Sequence, residues 1–226
     1  MHMLRRSVTE ENSMPLSPPQ ARERLHTRAI TINGWRRADG LYDIEAELAD
    51  TKTFGFPNQE RGFVHAGEKL HGMAMRITVN EDMLIVACEA ATDFAPFGMC
   101  PSAAANFSRL AGLTIGRGFL KAVASRVGGT QGCTHLRELL QQMATTAFQT
   151  VYPARVRREA LAAQRELPPG DGFDAKVTEH YGGPSSIVNS CLAYAEDGPL
   201  VQRRWPQFSK AAKAGKTVAA TVSDKD

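Results

Sequence analysis

The chain's 226 residues, 42% of them hydrophobic, suffice to bury one substantial core, so one main domain with tails is expected rather than two independent folds. A formal net charge of +3, with basic residues scattered rather than gathered into an aromatic-interleaved stripe, argues against a nucleic-acid surface. The N-terminal stretch holds Arg5, Arg6, Glu10 and Glu11 without an apolar run, and no later stretch is long enough to span a bilayer. The expectation is therefore a soluble, cytoplasmic protein with no membrane role. In that reducing compartment the widely spaced Cys88, Cys100, Cys133 and Cys191 read as buried, reactive or metal-binding thiols before disulfides.

In chain order, residues 1–25 carry few large apolar groups and read as a flexible arm. From His26 the pattern has period two through Arg28, Ile30 and Ile32, a first strand that Asn33-Gly34 should close as a turn. Residues 41–48 place Tyr42, Ile44, Ala46 and Leu48 on one strand face and Asp43, Glu45 and Glu47 on the other. Residues 70–79 alternate with His71, Met73, Met75, Ile77 and Val79 together, and Asn80-Glu81-Asp82 should turn them into a strand over 83–90, an antiparallel hairpin.

Beyond Pro96 the period becomes helical. Ser102 can cap a short helix carrying Phe107 and Leu110, and a second helix over 118–127 should stop at Gly128-Gly129. The strongest helix follows, with Thr134 as N-cap and Leu136, Leu139, Leu140, Met143, Ala147 and Phe148 on one stripe. The fold class is α+β, a small antiparallel sheet with helices packed on one face, over a main domain of residues 26–160. Residues 161–206, interrupted by Leu167-Pro168-Pro169-Gly170, read as a loop-rich C-terminal flap, and 207–226 as a flexible tail.

Three stretches are distinctive: Trp35-Arg36-Arg37-Ala38-Asp39-Gly40-Leu41-Tyr42-Asp43-Ile44-Glu45-Ala46, Gly67-Glu68-Lys69-Leu70-His71-Gly72-Met73 and Gly132-Cys133-Thr134-His135-Leu136. Together they resemble the bacterial family known as domain of unknown function 2889, for which no activity is implied. The order strand, turn, strand, Cys100, small-residue helix, then Cys133 and His135 at the start of an amphipathic helix is also similar to the iron-sulfur scaffold fold of the IscU/NifU type. That likeness implies a metal site drawn from Cys100, Cys133 and His135. The scaffold's loop cysteine is missing, and His71 or His65 is the nearest substitute.

A helix N-terminus favours a thiolate at Cys133 and a neutral imidazole at His135, the ligand-competent forms, and a mixed nitrogen and sulfur donor set suits zinc or iron. The plainer alternatives are a packed thiol at Cys133, a core cysteine at Cys100 and a satisfied core histidine at His71. Glu89, flanked by Cys88 and Ala90, reads as a general base or a rim carboxylate, and Glu45 as a second base or an ordinary solvated face. Arg37 either binds a substrate anion or pairs with Asp39 and Asp43, and Cys191 reads as a flap residue closing over the site.

The leading functional reading is a metal-dependent enzyme of lyase or hydrolase type. Its metal, held by His71, Cys133, His135 and Cys100, would act as a Lewis acid while Glu45 or Glu89 moves the proton and Arg37 holds an anion. The family resemblance suggests a small organic, aromatic or acyl, catabolic substrate. One alternative is a non-enzymatic zinc or iron-sulfur carrier that hands its cargo to a partner, and another is a metal-free small-molecule-binding domain. No glycine-rich dinucleotide fingerprint is present, so no nicotinamide or flavin cofactor is expected. The exposed edge of a small sheet is compatible with a homodimer.

Overall fold

The computed structural model describes residues 16–210. Most of the expected arm (1–15) and of the tail (211–226) lies outside the described residues. The architecture is α+β: strands β1 (His26–Arg36), β2 (Tyr42–Lys52), β5 (Lys69–Val79) and β6 (Ile85–Phe94) form an antiparallel sheet in the order β1-β2-β5-β6. Two three-residue strands, β3 (Phe56–Asn58) and β4 (Gly62–Val64), make a small separate hairpin between β2 and β5.

Alternation decides which face is buried. Tyr42, Ile44, Ala46 and Leu48 of β2 and Met73, Met75, Ile77 and Val79 of β5 are all buried, and register pairs Ile44 with Ile77 and Ala46 with Met75. The layer above them is helical. A 3-10 helix at Cys100–Leu110 buries Phe107 and Leu110. Helix α1 (Phe119–Val127) buries Phe119, Val123 and Val127 at four-residue spacing. Helix α2 (Thr134–Ala162) lays Leu136, Leu139, Leu140 and Met143 across the strands.

Several boundaries differ from the sequence expectation. Asn33-Gly34 does not turn the chain; β1 runs on to Arg36 and the turn falls at residues 37–41, with Gly40 in the left-handed region at φ 87°. Gly34 serves instead as a close-approach point, because a Cβ there would land inside the Thr150 side chain of α2. Cys133, not Thr134, occupies the N-cap of α2, and no side chain caps that end. Ser102 lies within the 3-10 helix, where its hydroxyl donates to the Met99 carbonyl at 2.7 Å.

Helix α2 continues for 29 residues, past Pro153, to Ala162. Within 161–206 there is more order than a loop-rich flap: α3 (Asp171–His180) and α4 (Pro199–Arg204), with 3-10 turns at Pro184–Ser186 and Leu192–Tyr194. Tyr181, just past α3, packs its ring tilted at 5.1 Å from Phe148 and 4.4 Å from Tyr152 of α2, a contact that no period in the sequence announces. No helix among the described residues is long and apolar enough to cross a membrane.

Candidate metal centre

The alternation that buries Leu48 continues by two residues and places Asp50 on the same inward face, where it is only 1% exposed. Register sets it opposite His71 of β5 and Arg28 of β1. A carboxylate stripped of water at that position requires charged partners, and it has them. The Arg28 guanidinium grips both oxygens, Nε donating to Oδ1 at 2.8 Å and Nη2 to Oδ2 at 2.8 Å. His71 Nδ1 lies 2.9 Å from Oδ2, and His26 Nε2 lies 3.3 Å from Oδ1. Burial alone would raise the Asp50 carboxyl, but Arg28 first and His71 second outweigh it and hold it at about 2.

The start of α2 completes the corner. The His135 ring lies 4.0 Å from that of His71, centroid to centroid. Cys133 Sγ sits 3.9 Å from His135 Nδ1 and 4.0 Å from Met73 Sδ. Burial, and then the neighbouring His135, push the His71 imidazole below its ordinary value, leaving it neutral near pH 7 despite the Asp50 carboxylate. Arg28 also reaches forward, its Nη1 donating to Glu138 of α2 at 2.6 Å, so one guanidinium clamps the sheet to the first turns of the helix.

Among the described residues the group of histidine, cysteine and carboxylate side chains able to hold a metal ion is Asp50, His71 and His135, whose ligand atoms all lie within 4.8 Å of one another. His71 and His135 belong to the expected ligand set; Cys133 is outside that group, its Sγ lying 3.9 Å from His135 Nδ1. Cys100 opens the 3-10 helix and is outside that group. Asp50, Arg28, His26 and Glu138 were missed by sequence reasoning. His65 lies in the exposed loop after β4, edge-on to Phe63 at 5.2 Å, with its backbone N–H donating to Glu68.

The expected proton-moving residues are elsewhere. Glu45 and Glu89 flank Arg76 on the outer face of the sheet, at 2.7 Å and 3.5 Å, and Glu89 is 80% exposed. The sheet itself separates them from the His71 side. Arg37 pairs with Asp39 at 2.7 Å and Asp43 at 3.6 Å, at the turn end of the β1–β2 hairpin. Seven strand residues, roughly 23 Å at about 3.3 Å each, separate Asp43 from Asp50. The end of α3, ten residues before Cys191, docks through Tyr181 on Phe148 and Tyr152. Phe148 stands thirteen residues, ~20 Å of helix, beyond His135, so that docking point is distant from the corner. Burial pushes the Cys88 thiol up to about 12, leaving it a core residue without nucleophilic character. All four cysteines are free.

Comparison with known proteins adds the family. No curated protein and no solved structure matches the chain. The sequence profile of the family described as "Protein of unknown function (DUF2889)" matches residues 26–149, which span the whole sheet and the helix start that builds the corner, and the chain belongs to that family.

Proposed function

We propose that the chain is a metal-dependent enzyme of hydrolase or lyase type acting on a small organic molecule, aromatic or acyl in character, with its reactive centre at the Asp50/His71/His135 corner. The observation that carries this reading is the convergence of two imidazoles, one held neutral, and a buried carboxylate within 4.8 Å.

The donor chemistry fits zinc or iron and sorts the residues into roles. A carboxylate has about four lone-pair positions. Three of those of Asp50 are taken by two guanidinium donors and the His71 nitrogen, and His26 Nε2 lies 3.3 Å from Oδ1. Asp50 therefore acts through His71: accepting from Nδ1, it fixes the tautomer and leaves Nε2 as the metal-facing nitrogen. His71, His135 and the Cys133 thiolate are then three protein donors, a set that leaves one position open for water or substrate. A bound metal would supply Lewis acidity toward a substrate oxygen and lower the pKa of a bound water. Glu138, brought to the corner by Arg28, takes over the proton-moving role first sought at Glu45 and Glu89. With a single thiol beside two imidazoles, the donor set is a poorer match to an iron-sulfur carrier, whose clusters take mainly thiolates.

Cobalt(II) titration of metal-depleted protein tests the assignment. Tetrahedral visible bands with a thiolate charge-transfer band are expected, lost in His135→Ala and shorn of the charge-transfer component in Cys133→Ser. A titration identical in wild type and His135→Ala contradicts the assignment.

A further inference from the structure

We infer that the entrance to this corner selects an organic anion with a flat apolar body, an aryl carboxylate being the simplest member; the inference rests on reading the corner as the reactive centre. The connection between β2 and β5 leaves the sheet two residues after Asp50, at Lys52, and rejoins it two residues before His71, at Lys69. Its return is pinned there by Arg61, whose Nη1 donates to the Lys69 carbonyl at 2.9 Å. The elements that place buried Asp50 and half-buried His71 therefore also place this connection at the same end of the sheet.

What the connection carries is aromatic. Phe54 and Phe56 meet edge to face at 6.3 Å, and Phe54 and Phe63 keep about half of their surface in water (45% and 49% exposed). Exposed phenylalanines gathered at one place have no folding rationale. Two cations accompany them. Lys52 Nζ stands 5.5 Å and 6.0 Å from the Phe54 and Phe56 rings, and Lys69 Nζ stands 5.6 Å from the Phe94 ring. Among the described residues neither lysine has a carboxylate within ion-pair distance, whereas Arg28 has two and Arg61 has one. Rings offering flat contact beside unpaired ammonium groups complement a flat apolar anion in both shape and charge.

The probes are cinnamate and cinnamyl alcohol, the same body with and without the charge, titrated calorimetrically into the full chain as purified, with metal content measured on the same samples. Cinnamate should bind at least about tenfold tighter than the alcohol, the order expected of one charge-assisted contact. Lys52→Met/Lys69→Met should erase that preference and leave alcohol binding unchanged, while Phe54→Ala/Phe63→Ala should weaken both probes; these side chains are at the surface, so unchanged melting temperatures verify the fold. Equal affinity for the two probes, binding of neither, or a preference that survives in the lysine variant overturns the inference, and binding of neither would leave the aromatic patch as a protein-contact surface. A wild type that stays metal-free even after supplementation and still prefers cinnamate contradicts the metal reading and leaves the entrance standing; a metal-loaded one that binds neither contradicts the entrance alone.

Discussion

At the scale of single residues, Asp50 organises the corner. Its charge is buried because Arg28 is bound to both its oxygens, and it in turn orients His71. Asp50→Asn keeps the shape and removes the charge that both partners answer. It should cost roughly 3 kcal/mol in urea denaturation, the order found when a buried ion pair loses one partner. It should also weaken metal binding by about 10- to 100-fold in chelator competition, as loss of an outer-shell carboxylate does. Normal stability with unchanged affinity would show that Asp50 neither supports the fold nor acts through His71. His71, Cys133 and His135 could be named from the sequence because the scaffold likeness pointed to them and because a strand period and a helix start are local patterns. Asp50 escaped because an aspartate after Leu48 reads as the end of a strand, the residue being a poor strand former, and only its distant partners Arg28 and His71 make it tolerable inside.

At the scale of elements, helix α2 must cross β1 closely enough to bring His135 down to the sheet, and Gly34 provides the clearance. Gly34→Ala should destabilise the fold by about 1–3 kcal/mol through overpacking, and Thr150→Ala in the same chain should restore part of it. A Gly34→Ala variant as stable as wild type in thermal melts would contradict this account of the crossing. Read locally, Asn33-Gly34 is a turn signal; the long-range approach of α2 overrides it. The same applies to α3, whose docking depends on Tyr181 meeting Phe148 and Tyr152 across long stretches of chain. Burial pushes the Tyr181 hydroxyl up from 10.0 to about 12. A raised value means the unfolded chain loses its proton first, so this contribution is complete below pH 10 and lost as pH rises toward 12. Tyr181→Phe should melt like wild type at neutral pH and lose less stability across that alkaline window. Equal alkaline losses in the two proteins would contradict the burial of this hydroxyl.

At the scale of the whole molecule, the described residues give the sheet one helix-covered face and one open face, and its two ends differ. The turn end holds Arg37 with Asp39 and Asp43, and the other end holds Asp50, His71 and the aromatic connection. Periodicity divided β2 correctly into an apolar face and a face bearing Glu45 and Glu47, because alternation is a property of the strand alone. The same alternation already set Glu45 on the face opposite the apolar one that carries His71, and the pairing of Arg76 with both Glu45 and Glu89 puts Glu89 there too; which end of α2 reaches which strand, by contrast, is decided by tertiary packing. The most direct test of the central claim is metal content by plasma mass spectrometry, on protein purified without an affinity-metal column, beside a His71→Ala/His135→Ala variant. Near one zinc or iron per chain in the wild type, and none in a variant that still folds, is the expected result; a wild type that holds no metal even after supplementation, or a variant that holds as much, would contradict it.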